Sequence, residues 1–199
     1  MKPHEWVAEV TLANEWVRLE PLREEHAAEL QRARERETFR FFVTQQPPTD
    51  DESGMATFVR SVLDMANVRP FVVVTGGEVV GMTTLMDIRP EAKGLEIGMT
   101  WYAAAAQGTA VNPAAKQLLL AHAFESLGCL RVQLKCDANN TRSRAAILKL
   151  GAQFEGILRQ HGIRRDGSFR DTAMFSIVAE EWPDVRRRLE DRLHRFDVG

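Results

Sequence analysis

Three stretches of the chain carry groups that could do chemistry: LEIGMTWY (95–102), QGTAVN (107–112) and DANNTRSRAAILKLGAQFEG (137–156). In the first, strand alternation puts Leu95, Ile97, Met99 and Trp101 on one face and Glu96, Gly98, Thr100 and Tyr102 on the other. Glu96 is then a carboxylate in an apolar strand, and a glutamate partly withdrawn from water suits proton removal near neutral pH. An ion pair with Arg131 or Lys135 on a neighbouring strand accounts for it equally well. Gly98 inside the strand marks a bulge or a close approach by another backbone or a ligand.

The second stretch joins a strand to a helix. Such a loop turns backbone N–H groups toward one point, and the helix N-terminus adds roughly half a positive charge, so the pair can cradle an anion such as a pyrophosphate. Gly108 lets the backbone approach closely. A plain connection capped by Asn112 is the competing reading. In the third stretch, Asn140 as helix cap puts Ser143 at the third helical position and Asn139 just outside, more polar groups than one cap uses. The surplus serves a ligand or solvent. Arg142 and Arg144 stand at the helix end that disfavours cations, which suits contacts to phosphate or acidic groups better than helix stabilisation.

These residues need a scaffold to bring them together. WVRLEPL reads as a first strand, with Pro21 opening a helical pattern through REEHAAELQRAR. Thr49 or Asp50 caps a second helix running to about Asp64. PFVVVTGGEVVGMTTL is a hairpin around Gly76-Gly77. After LEIGMTWY comes a helix with Asn112 as cap, Pro113 in its first turn, Leu120, Phe124 and Leu127 on one stripe, and Gly128 as its stop. RVQLKC is a strand, NTRSRAAILKL a helix closed by Gly151, and two strands around Phe154 to Ile163 and Thr172 to Val178 complete the sheet. The alternation predicts an α/β fold with helices on both faces. A single domain over 1–199 is expected, with a helical tail from about 183.

Composition excludes several classes. The chain is 44% hydrophobic and 27% charged, a globular balance, and its formal net charge of -2 gives no overall pull toward nucleic acid. MKPHEWVAEV has no charged start followed by an apolar run, and no window approaches the ~18 apolar residues of a membrane span, so a cytoplasmic protein without membrane association is expected. Cys129 and Cys136 lack a second CxxC pair or nearby histidines, which predicts reduced core thiols and no metal site.

Taken together, QGTAVN, LEIGMTWY and DANNTRSRAAILKLGAQFEG, with HGIRRDGSFRDTAMFSI downstream, resemble the GNAT superfamily of N-acetyltransferases, and within it the RimJ/RimL-type ribosomal-protein N-terminal acetyltransferases. The resemblance spans WVRLEPL to DTAMFSIVAEEWP. It implies a splayed mixed sheet of about seven strands, with acetyl-CoA in the V between LEIGMTWY and RVQLKC, alongside Met99, Thr100 and Trp101. The pyrophosphate would rest on Gln107, Gly108, Thr109, Ala110, Val111 and Asn112. Gln107 matches the residue opening the family's loop, while Ala110 and Asn112 replace two small positions, which predicts weaker cofactor binding. Asn140 matches an asparagine that hydrogen-bonds the pantetheine arm, Ser143 a serine near the thioester sulfur, and Glu96 a carboxylate proposed as base, acting directly or through water. The tyrosine acid common elsewhere in the superfamily has no counterpart, because Tyr102, the sole tyrosine, lies too early.

The expected activity is acetyl transfer from acetyl-CoA to a primary amine, a protein N-terminus or a small molecule. Self-protection against a toxic amine would suit a carboxylate-rich wall from Glu35, Glu37, Asp50, Asp51 and Glu52, and a silent CoA-binding module is the reading from another class. Arg159, Arg164, Arg165 and Arg170 line an acceptor rim or decorate a solvated hairpin. RRRLEDRLHRF docks on a second copy, giving a homodimer, or faces solvent.

Overall fold

Local chemistry sets the elements, and the computed structural model describes residues 2–43, 46–164 and 166–197 of the chain. A short helix α1 (Pro3–Trp6) and strand β1 (Leu12–Ala13) lead into β2 (Arg18–Pro21). Pro21 therefore ends a strand instead of opening a helix, and α2 (Ala27–Ala33) starts after a single 3-10 turn. Helix α3 (Glu52–Leu63) is capped by Asp51, whose carboxylate accepts from the Gly54 N–H at 2.8 Å and from the Thr49 and Ser53 hydroxyls. Thr49 thus supports the cap without being it. The Gly76-Gly77 turn, with φ of 57° and 83°, joins β3 (Val68–Thr75) to β4 (Glu78–Arg89), as a two-residue hairpin requires.

Next come β5 (Gly94–Tyr102), α4 (Val111–Ala121) with a π-helical extension, β6 (Arg131–Asp137), α5 (Thr141–Leu150), β7 (Gln153–Ile163), β8 (Phe169–Val178) and α6 (Trp182–Asp197). Among the described residues eight strands form one sheet in the order β1-β2-β3-β4-β5-β6-β8-β7, one more than expected because the two-residue β1 joins the edge. The strands pair antiparallel except β5 with β6.

Each sheet face buries its own core. On one, Leu30, Met55, Phe58 and Val62 of α2 and α3 pack on Val72, Met82 and Trp101. On the other, α4, α5 and α6 cover Leu95, Ile97, Val132, Leu134 and Phe175. Trp182, Val185, Leu189 and Leu193 of α6 are buried in that second core, so the tail's apolar stripe covers its own sheet, a use that neither reading of RRRLEDRLHRF anticipated. Cys129 and Cys136 are free and buried, as core thiols should be. Among the described residues no helix is long and apolar enough to cross a membrane.

Candidate active site

The site begins where β5 and β6 part. They pair at only three positions, Gly94 with Arg131, Leu95 with Val132 and Glu96 with Gln133. Beyond Glu96, β5 stays with β4 and β6 stays with β8, so the two strands splay into a V. Both strands lead into helices at the open end.

A bulge reshapes one arm. Between Gly98 and Trp101 three steps of β5 oppose the two steps of β4 from Thr84 to Met82, and Met99 takes a left-handed φ of 48°. The extra residue reverses the alternation. Tyr102 therefore joins Leu95 and Ile97 in one core, and Trp101 crosses to the other, its ring 5.7 Å from that of Phe39. Strict alternation through LEIGMTWY holds only as far as Gly98. The side chain of Trp101 is committed to the core, leaving its backbone as the part that faces the V.

Glu96 sits at the apex, 1% exposed. Gln133 Nε2 donates to its Oε2 at 2.9 Å, and Lys135 Nζ lies 2.9 Å from the same oxygen. The ion pair with Lys135 is real, while Arg131 is taken by Glu155 instead. Both partners converge on Oε2, and among the described residues Oε1 has no partner. A Cβ at Gly98 would stand 2.5 Å from Met86 Sδ and 3.0 Å from Glu96 Oε1, so a larger residue here would displace one of these side chains.

At the open end, Asn140 caps α5, its Oδ1 accepting from Ser143 N–H at 3.0 Å, with Ser143 at the third helical position as expected. Asn139 is exposed, and its backbone N–H donates to Asp137 Oδ1. Burial pushes the Cys136 thiol up, an effect opposed by the neighbouring Ser143 hydroxyl. The cap of α4 is Ala110, two residues before Asn112, which lies inside the first turn. Asn112 is the better capping residue, but the Thr109 hydroxyl already accepts from Val111 N–H at 3.3 Å while donating to Ala106 C=O. Gly108 has a φ of 81° with nothing within 4 Å of a Cβ position, so the loop is open on that side. Ala110 is 5% exposed and packs into the core, and its methyl accordingly does not crowd the cradle. Gln107 donates to Tyr102 C=O at 2.9 Å and accepts from Arg142 Nη1 at 2.6 Å, a bridge between the α4 loop and the mouth of α5. Arg144 reaches Ala138 C=O and lies over the Phe154 ring.

A cavity of about 300 Å³ opens on the V, lined by Glu96, Gly98, Met99, Thr100, Asn140 and Ser143, with Phe41, Phe42 and Val43 as an apolar wall. Sequence reasoning missed the role of Asp137 at the end of β6. It is 1% exposed and gripped by Arg164, Nε to Oδ2 at 2.7 Å and Nη2 to Oδ1 at 2.9 Å. Of the rim arginines, Arg164 is thus structural, Arg170 lines the cavity, Arg159 is exposed, and Arg165 lies outside the described residues. Glu37 and Asp50 border an adjoining cavity together with Arg34, Arg36 and Arg40, and Arg34 pairs with Asp50. The expected acidic wall is therefore of mixed charge. Among the described residues no cluster of three or more His, Cys, Asp or Glu is arranged to hold a metal.

Comparison with known proteins identifies the family to which this arrangement of elements belongs. The family described as an acetyltransferase (GNAT) domain matches residues 17–153. The chain belongs to the GNAT acetyltransferase family. GNAT proteins are acetyl-CoA-dependent N-acetyltransferases. A structure from T. thermophilus, provisionally described as an acetyltransferase, is 37% identical, with 92% of this chain and 96% of that one covered and a TM-score of 0.87. Mycobacterium smegmatis RimJ, solved in complex with CoA-disulfide, is 26% identical over 88% of each chain, with a TM-score of 0.74. YdaF of Bacillus subtilis (strain 168), provisionally named a ribosomal N-acetyltransferase, is 31% identical over 106 residues, 53% of this chain and 57% of that protein. The match to YdaF thus spans little more than half of that relative's length.

Proposed function

We propose that the protein transfers the acetyl group of acetyl-CoA to the α-amine of a peptide or protein N-terminus. One observation carries the transfer reading: the V between β5 and β6 has a half-bonded buried carboxylate at its apex and two bridged helix mouths at its open end. The open Gly108 loop, the first turn of α4 and Arg142 fit a pyrophosphate, and the groups at the mouth of α5 around Asn140 fit a pantetheine arm. Met99, Thr100 and Trp101 would offer backbone to it.

Acetyl-CoA supplies an activated thioester. Glu96 would take a proton from the attacking amine through Oε1, directly or through one water. The N–H of Met99 or a neighbour would donate to the carbonyl oxygen as negative charge develops there. Ser143 would give its hydroxyl proton to the departing sulfur and regain one from protonated Glu96 through water.

The mixed-charge wall supports a peptide acceptor over a polycation. Glu96, Asp137 and Asp50 are each paired with a cation of this chain, which leaves little anionic surface for a polyamine or a cationic drug. The names of RimJ and YdaF point the same way. A cytoplasmic location accords with such an acceptor. A homodimer would have a candidate surface at the edge strand β7, where Phe154, Ile157, Leu158 and Ile163 are 40–58% exposed. The deciding assay is thiol release from acetyl-CoA with free-amine tetrapeptides, spermidine and an aminoglycoside in parallel. Release with the peptides alone is the expected result. Release only with the cationic amines favours self-protection, and none with any amine favours a silent CoA-binding module.

A further inference from the structure

Lys116 lies on the buried stripe of α4 with Leu120 and Ala123, and is 5% exposed. Among the described residues no carboxylate pairs with it, and its Nζ donates to the Thr100 hydroxyl at 2.7 Å. Burial alone pushes this amine down to about 7. A methionine would fill similar space without withdrawing an amine from water, so packing gives no reason for a lysine here.

The reason lies on β5. Thr100 follows Met99, where the strand bulges with a φ of 48°. A residue with a side chain holds such a backbone only where its surroundings over-determine it. The Thr100 hydroxyl has one proton and two lone pairs. Lys116 donates to one lone pair, and the Thr83 hydroxyl, 2.8 Å away, shares a second bond in which either oxygen can be the donor. With Lys116 on one lone pair, the proton is left for the Thr83 hydroxyl or for the Gly98 carbonyl, 3.3 Å away, which also accepts from Thr84 at 3.0 Å. Met99 is bracketed on both sides through one hydroxyl, and Lys116 limits which way that hydroxyl points. Gly98, Met99 and Thr100 all line the cavity that holds Glu96.

We infer that Lys116 is a positioning residue for acetyl transfer, acting through Thr100 to hold the Met99 bulge in the shape that presents β5 N–H groups to the thioester carbonyl. This role rests on the function proposed above. The test compares the full chain with Lys116→Met, Thr100→Val, Thr100→Ser and the Lys116→Met/Thr100→Val double variant, using acetyl-CoA and a mixture of free-amine tetrapeptides. Lys116→Met and Thr100→Val should each lower kcat by about 10²-fold, the scale of a small misplacement at a reacting centre. KM for acetyl-CoA should stay within about threefold, since the pyrophosphate cradle is untouched. Thr100→Ser, which keeps the hydroxyl, should recover most of the kcat that Thr100→Val loses, and the double variant should be no worse than either single one, because both cut the same path.

Amide hydrogen exchange supplies a readout independent of turnover. In Lys116→Met, exchange at Met99 and Thr100 should rise by about tenfold while the melting temperature does not fall. Unchanged kcat with unchanged exchange overturns the positioning role. A wild-type chain that releases no thiol overturns the functional reading instead, and exchange at Met99 then decides the inference alone.

Discussion

Glu96 and Asp137 are both 1% exposed, yet their bonding is opposite. Asp137 is bonded on both oxygens: Arg164 holds the two of them, and Asn139 N–H adds a third bond. Among the described residues Glu96 is bonded on Oε2 alone, by Gln133 and Lys135. A buried carboxylate with both oxygens bonded serves to hold structure together, whereas one with a free oxygen facing a cavity can still exchange a proton. Two acids of equal burial are thereby divided between architecture and chemistry, and the division is open to experiment.

The largest effect should come from breaking the Asp137–Arg164 pair. Arg164→Met leaves a carboxylate buried without its cation and should cost about 3 kcal/mol in denaturant unfolding at pH 7. Burial by itself raises the Asp137 carboxyl, but the bonds from Arg164 and Asn139 outweigh it and hold it below the usual carboxylate range. A depressed folded-state value means that the pair's stabilisation is present above the ordinary carboxyl pKa of about 3.9 and is lost as pH falls through the folded value. The gap between wild type and Arg164→Met should therefore narrow below about pH 4. A gap that stays constant down to about pH 2 would show that the arginine contributes through packing and not through charge.

Glu96→Gln tests the other side of the comparison. The amide keeps the shape of the side chain, and if Glu96 is the base, kcat should fall by about 10²-fold or more while KM for acetyl-CoA changes little. Thermal unfolding should move less than in Arg164→Met. Unchanged turnover would remove Glu96 from the proton transfer and make it a second structural acid.

What could be read from the sequence follows the range of the forces involved. The Asn140 cap and its Ser143 partner were legible because capping is decided within a few neighbouring residues. The cap of α3 was placed slightly early because Thr49, Asp50 and Asp51 are all competent, and only the fold chooses Asp51. The cap of α4 was misplaced because Asn112 outranks Ala110 by residue type, while the Thr109 hydroxyl meets the need from outside. Long-range facts were not legible. The bulge at Met99 is a mismatch with β4, and it alone sends Trp101 to the opposite core. Asp137 and Arg164 are 27 positions apart, so the pair forms only when β6 and the β7–β8 hairpin meet. Lys116 did leave a trace, a charged residue on the helical stripe of Leu120 and Ala123, where a solvated lysine has no place.

The smallest effect concerns Arg142, at the far end of the slot from Glu96. Its guanidinium is exposed and spends one nitrogen on Gln107 Oε1, at 2.6 Å. It is thus half-used in the way Glu96 is, with donors left over beside the loop of Gly108 and the first turn of α4. If leftover capacity at this site serves ligands, Arg142→Ala should raise KM for acetyl-CoA by about tenfold, the loss of one charge-assisted contact, with kcat unchanged. Melting temperature without ligand should hardly move, because an exposed arginine bonded to one amide contributes little to stability. The rise in melting temperature that saturating acetyl-CoA gives the wild type should shrink in the variant. A lowered melting temperature without ligand, together with an unchanged KM, would instead mean that Arg142 serves as a strut between two helix mouths. The rule that half-bonded polar groups mark the working end of this fold would then hold at the apex of the V and fail at its mouth.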